Sequence, residues 1–137
     1  MNRSIHAIAL SSLLALACGG ASSSPAAPTG AAAAPALDGT SYEVTLEFPG
    51  EAPLKDVLSF DSGRFESSAC TALGFPKWTE YRVERAGGGV AFHVETHNPG
   101  GPSVEWDGTV SGAVASGKAK RTIDGRTVLG TFHGSTR

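Results

Sequence analysis

From Leu37 to the end of the chain, apolar and polar residues alternate in short runs separated by turn residues. Tyr42, Val44 and Leu46 are separated by single polar residues, and so are Val104 and Trp106. A period of two predicts strands with one buried face, and no helical period is found in this stretch, so we expect no helix. The pattern predicts eight strands, over residues 42–48, 57–61, 64–69, 78–85, 90–97, 104–110, 113–123 and 127–135.

The predicted strands follow one another closely along the chain. Asp61-Ser62-Gly63 and Asp124-Gly125 are typical of tight hairpins, which favour pairing between neighbours in sequence. An open sheet of this kind would leave two unpaired edges, whereas closure removes both. We therefore predict an all-β fold, an eight-stranded antiparallel up-and-down barrel, with a β-sandwich as the alternative.

Five aromatic residues fall on the predicted inward faces: Tyr42, Phe60, Phe92, Trp106 and Phe132. Aromatic side chains on buried faces usually pack against one another, so a filled core is the default expectation. Eight strands also form the smallest common barrel that can hold one small ligand. The alternative is a cavity for a small hydrophobic ligand, and these five are then the candidate ligand-binding residues.

The first 17 residues have the organisation of a secretory signal peptide. A positive start at Arg3 precedes an apolar run that ends in small residues before Cys18. The segment Leu14-Ala15-Leu16-Ala17-Cys18 resembles the lipobox of bacterial lipoproteins, with Ala15 where that pattern usually has Leu. The resemblance implies a lipid on Cys18 and a membrane anchor. The alternative is an ordinary secreted protein.

Residues 18–36 contain no charged side chain and consist mainly of Ala, Ser, Gly and Pro. Such a segment buries too little apolar surface to fold, which predicts a flexible tether. The predicted organisation is a signal peptide over 1–17, the tether over 18–36 and one β-barrel domain over 37–137.

Five short segments of the domain carry a resemblance: Leu37-Asp38-Gly39-Thr40-Ser41-Tyr42, Asp61-Ser62-Gly63-Arg64-Phe65, Ser68-Ala69-Cys70, Gly74-Phe75 and Gly130-Thr131-Phe132-His133-Gly134. They are similar to segments of the small lipocalin-like (calycin-type) barrels of uncharacterised bacterial lipoproteins. The resemblance covers residues 37–137 and implies a fold and a cell-envelope location, on the outer membrane or the periplasmic face, rather than an activity.

Composition narrows the function classes. The 137 residues include 13 acidic and 11 basic side chains, a balance of −2 that argues against nucleic-acid binding. No Gly-x-Ser-x-Gly or His-Glu-x-x-His motif is found, so we expect no catalysis and no cofactor. Cys70 is predicted to be a small buried hydrophobe in a strand, with a Cys18–Cys70 disulfide as the alternative.

Three polar residues, His93, Glu95 and His97, fall on the outer face of one predicted strand. His93 and His97 would lie ~13 Å apart and cannot share an ion on a regular strand. His93 and Glu95, at ~6.7 Å, could share one only with a third ligand from a neighbouring strand. We therefore expect solvated side chains and no metal site.

Three hypotheses for the function follow. The first is a lipid-anchored binding protein for a small hydrophobic ligand, and the second is a structural or protein-interaction module, including an inhibitor-like one. A hydrolytic enzyme is the third and the least favoured. A hollow barrel favours the first, whereas a packed barrel with an exposed apolar patch favours the second.

Cys18→Ser tests the anchor. The substitution removes the thiol that would carry lipid, so the protein should move to the soluble fraction or stay unprocessed, as fractionation and intact mass would show. A correctly cleaved variant that still partitions with membranes would contradict lipidation.

Overall fold

The fold was obtained as a computed structural model that describes residues 37–137. The predicted signal peptide, Cys18 and the tether lie outside the described residues. Within this part of the chain, no helix is long and apolar enough to cross a membrane. The elements are β1 Thr40–Glu47, β2 Leu54–Asp61, β3 Arg64–Ser67, α1 Ser68–Ala72, β4 Thr79–Ala86, β5 Gly89–His97, β6 Ser103–Ser111, β7 Val114–Ile123 and β8 Arg126–Thr136.

The eight strands form a closed antiparallel barrel in sequence order. Closure comes from the first and last strands, where Val44 of β1 pairs with Gly134 of β8. This pairing removes both sheet edges, as the hairpin spacing predicted. The predicted eight-stranded up-and-down barrel is confirmed, and the alternative β-sandwich is wrong.

Two of the hairpins have turn residues whose backbone conformation explains the tight turns that the sequence predicted. Ser62-Gly63 and Asp124-Gly125 each occupy a two-residue turn in which both residues have positive φ, between 50° and 73°. That conformation matches the twist of paired strands and favours Gly, Asn or Asp. These two turns fix the registers of β2 with β3 and of β7 with β8.

The largest differences from the predicted elements are two strand boundaries and one helix, while the other strand boundaries shift by at most two residues. β2 begins at Leu54, three residues before the prediction, because Leu54 and Lys55 still pair with β1. β3 ends at Ser67 rather than at residue 69, and Ser68–Ala72 form a one-turn helix, α1. The expectation of no helix is wrong, and Cys70 lies in α1, not in a strand.

The middle of the barrel is filled by side chains. The five predicted interior aromatics are each at most 3% exposed. Phe60 is central, with its ring centroid 5.0 Å from that of Phe92, 5.1 Å from Tyr81 and 5.4 Å from Phe65. Trp106 lies 5.5 Å from Phe132 in an edge-on arrangement. Such edge-on contacts are favourable for aromatic pairs, so the rings form a cohesive core.

Two facing glycines make room for these rings. Gly108 of β6 pairs with Gly117 of β7. A Cβ added at Gly108 or Gly117 would meet Cζ of Phe132 at 2.7 or 2.8 Å, closer than real Cβ atoms approach. The absence of two side chains on the wall therefore allows the phenyl ring to occupy the interior.

Trp106→Ala should lower the free energy of unfolding by about 3–5 kcal/mol, because it empties the space of a fully buried indole. Asp107→Ala, the neighbour on the outer face, should cost less than about 1 kcal/mol. Urea unfolding of the two variants would measure both. Equal, small losses would contradict the packing role of Trp106.

Candidate functional site

A buried carboxylate organises the barrel end at which α1 lies. Asp56 points inward from β2 and is only 2% exposed. Its Oδ2 accepts a hydrogen bond from the Ser67 hydroxyl at 2.6 Å. Its Oδ1 accepts from the Ser68 hydroxyl at 2.8 Å and from the Ala69 amide at 2.9 Å. These bonds tie the first turn of α1 to the barrel wall and offset the cost of burying the charge.

Ser67 begins the helix. Its backbone is extended, with φ −109° and ψ 121°, and its hydroxyl accepts a hydrogen bond from the Cys70 amide at 3.1 Å. This is the geometry of a helix N-cap, which supplies a partner for an amide that the helix itself leaves unpaired. The Ser67 hydroxyl therefore serves Asp56 and α1 together.

An apolar depression, the helix-end cleft, lies between α1 and the barrel end. Its volume is about 270 Å³. Leu54, Leu73 and Ile123 form its rim, with 46%, 71% and 42% of their surfaces exposed. Cys70 and Trp106 also line it, and they are 8% and 0% exposed. The cleft thus runs from an exposed apolar rim to the buried core.

Two of the polar side chains that line the cleft, those of Asn98 and Arg121, have partners within the protein. Nδ2 of Asn98 donates to the Leu73 carbonyl at 2.9 Å, which fastens the loop after β5 to the end of α1. Arg121 lies with Cζ 4.2 Å above the Phe48 ring and forms an ion pair with Glu51. The Arg121 hydrogen bond lowers the pKa of Glu51, so the pairing persists at neutral pH and weakens only in acid.

Trp106, which lines the cleft, also carries a buried donor without a partner. Nε1 of Trp106 is buried and makes no hydrogen bond to any of residues 37–137. Among these residues it is the one buried side-chain nitrogen or oxygen left unpaired. An unpaired buried N–H is rare because it costs free energy relative to hydration.

The Cys70 thiol is not poised for nucleophilic chemistry. Burial is the largest cause that raises its pKa, to about 11, and the nearby Asp56 charge adds to the effect. The thiol is therefore protonated at neutral pH, and the thiolate is the reactive form. The alternative disulfide with Cys18 involves a residue outside the described part of the chain.

The five candidate ligand-binding aromatics do not enclose a common cavity. They fill the barrel centre and contact one another, and Trp106 is the member that reaches the helix-end cleft. Tyr42 lines a depression of about 820 Å³ at the other barrel end, and Phe92 one of about 600 Å³ on the outer wall. Both are more open, and charged side chains line each of them, with Glu84 common to the two. Small-molecule sites are mostly apolar with few polar groups, which favours the helix-end cleft.

Sequence reasoning missed the acidic neighbours of His93. Nδ1 of His93 lies 2.7 Å from Oδ1 of Asp107, and Glu105 brings a third donor atom, all within 4.8 Å of one another. The pair that the sequence considered, His93 with Glu95, is replaced because Glu95 lies 3.1 Å from Nε2 of His97. Only the register of β5 with β6 reveals this cluster.

The cluster already carries a cation. Lys120 of β7 forms an ion pair with Glu105, and the Glu105 hydrogen bond raises the pKa of the lysine. A metal ion would have to displace that ammonium group from a partly exposed surface. The arrangement is that of a charge-paired outer face.

No protein-family model, curated protein or solved structure matches the chain.

Zinc should leave the melting temperature unchanged, because Lys120 competes for Glu105 on the outer face. Differential scanning fluorimetry with and without zinc would measure this. A rise of several degrees that His93→Ala abolishes would establish a metal site.

Proposed function

We propose that the protein is a lipid-anchored cell-envelope protein whose barrel binds a small hydrophobic ligand in the helix-end cleft, without catalysis. The observation that carries the proposal is the apolar path from the exposed rim residue Leu73 to the fully buried Trp106. Apolar surface that stays hydrated in the free protein is available to drive binding.

The anchor part of the proposal rests on the sequence. The segment before Cys18 is similar to a lipobox, and the uncharged tether over 18–36 would hold the barrel away from a membrane. The resemblance to lipocalin-like lipoprotein domains supports the same location, on the outer membrane or the periplasmic face. The proposed partners are therefore the membrane, through lipid on Cys18, and the ligand.

The size of the cleft limits the ligand. Pockets for drug-sized molecules have volumes of roughly 300–1,000 Å³. The helix-end cleft, at about 270 Å³, lies just below this range. The aromatic core beneath it prevents a long chain from passing down the barrel. The fitting ligand is a compact molecule of about one ring or a short branched chain.

A second function is favoured by the exposed rim. Leu54, Leu73 and Ile123 present apolar side chains around one opening, and such clusters mark protein contacts as well as ligand sites. In this alternative the barrel is a structural or protein-interaction module, including an inhibitor-like one, and a side chain of the partner protein enters the cleft. The enzyme hypothesis is weaker, because the thiol that lines the cleft is protonated at neutral pH.

Ala69→Phe tests the ligand site. Ala69 lines the cleft, so a phenyl ring there should occupy its volume and weaken toluene binding by roughly tenfold or more, about 1.4 kcal/mol. Saturation-transfer NMR or calorimetry would measure the affinity of toluene for the full chain.

Ala72→Phe is the matched control, because it places the same ring on the same helix outside the cleft. It should leave toluene binding unchanged. Equal effects of the two substitutions, or no toluene binding by the wild-type protein, would contradict the proposed site. Self-association of the wild-type protein that Ala69→Phe abolishes would support the interaction module instead.

A further inference from the structure

We propose that the ligand of the helix-end cleft is a small neutral carbonyl compound whose oxygen accepts a hydrogen bond from Nε1 of Trp106. This inference rests on the function proposed above and adds the chemical class of the ligand. Two observations on one residue carry it: Trp106 lines the inner end of an apolar cleft, and its buried Nε1 has no hydrogen-bond partner among residues 37–137.

The indole is held where it cannot find another acceptor. The Trp106 ring centroid lies 5.6 Å from that of Phe65 and 5.5 Å from that of Phe132. Its neighbours on the adjacent strands are Val94 and Ala119, whose side chains accept no hydrogen bond. Because the side chain is fully buried and packed, its N–H cannot turn to solvent. Trp106 lines the helix-end cleft, so the cleft is the route by which a partner would reach this donor.

The charges around the cleft disfavour an anionic partner. The Asp56 carboxylate is close enough to raise the pKa of the Cys70 thiol, and Cys70 lines the cleft beside Trp106. The same negative charge would repel a carboxylate bound there. The cation that lines the cleft, Arg121, is already paired with Glu51 and would not compensate. The acceptor must therefore be uncharged.

Because the donor is buried, the acceptor group of the ligand must also be narrow. Nε1 exposes less than 1 Å² in the free protein. An acceptor can reach it only if small shifts of the lining side chains admit a narrow group, and a carbonyl oxygen at the end of an apolar molecule satisfies this. A neutral aromatic or short-chain ketone, aldehyde or ester meets the volume, polarity and charge of the cleft together.

Three probes of nearly identical shape separate these requirements. Acetophenone carries a carbonyl oxygen, and α-methylstyrene replaces that oxygen with a methylene group. Benzoate keeps the carbonyl oxygen, replaces the methyl group of acetophenone with a second oxygen and carries a negative charge. Each is titrated into the full chain labelled with ¹⁵N, and the two indole N–H signals are followed by NMR. Trp78→Phe assigns the signals, because Trp78 does not line the cleft.

Acetophenone should bind about tenfold more tightly than α-methylstyrene, a difference of about 1.4 kcal/mol, and should move the Trp106 indole proton downfield. The Trp78 signal should not move. The preference is a stringent test, because α-methylstyrene is the more hydrophobic molecule and binds better wherever burial alone decides. Benzoate should bind more weakly than acetophenone.

Two results would overturn the inference in distinguishable ways. If both neutral probes perturb the amides of α1 but α-methylstyrene binds as tightly, without a downfield indole shift, the cleft is a ligand site and the carbonyl assignment is wrong. If neither probe binds, the proposed function fails as well. Tighter binding of benzoate would refute the neutral class.

Trp106→Phe provides a second readout. The variant keeps an aromatic ring and removes the donor, so it should lose the preference for acetophenone and still bind α-methylstyrene. A variant that folds and keeps the preference would overturn the inference, and the wild-type indole shift tests it even if the variant does not fold.

Discussion

The position of α1 at the barrel end depends on the buried carboxylate of Asp56. A charge removed from water is tolerated only where donors surround it, and here two hydroxyls and two amides do so. Three of these donors belong to Ser67, Ser68 and Ala69, at the junction of β3 and α1. This side chain therefore accepts hydrogen bonds from the end of β3 and the start of α1, and it holds the one-turn helix across the barrel end. A helix this short is not stable by itself, so its position is a property of the tertiary structure.

The filled interior leaves apolar space near the end of the barrel, where the helix-end cleft lies. The rings of Phe60, Phe92 and Trp106 occupy the barrel centre, and the paired glycines Gly108 and Gly117 yield space to them. Eight strands give a barrel that either packs its own side chains or holds one small molecule. This chain packs the centre and leaves apolar space at the end that α1 covers. The packed core then forms the floor of the cleft and holds the indole of Trp106, whose buried N–H has no partner among residues 37–137.

The barrel could be predicted from the sequence because its determinants are local. The alternation of apolar and polar residues in β6 predicted that Trp106 points inward, and the Asp124-Gly125 pair predicted a hairpin turn. The helix-end cleft could not be predicted, because α1 has no helical period and depends on Asp56, a polar residue at an inward position of another strand. The Ser67-Ser68 pair after a strand was the available signal, since Ser is a common N-cap. The missing partner of the Trp106 indole depends on packing, which no local pattern reveals.

Hydrogen exchange measures whether Asp56 holds α1 over the barrel end. The amides of Leu73 and Phe75 donate to carbonyls of α1, and the amide of Trp106 lies in the barrel wall. In Asp56→Ala the amides of Leu73 and Phe75 should exchange much faster while that of Trp106 stays protected. Asp61→Ala, at the exposed end of the same strand, should change none of them. Wild-type protection at Leu73 and Phe75 in Asp56→Ala, or an equal loss at Trp106, would contradict the account.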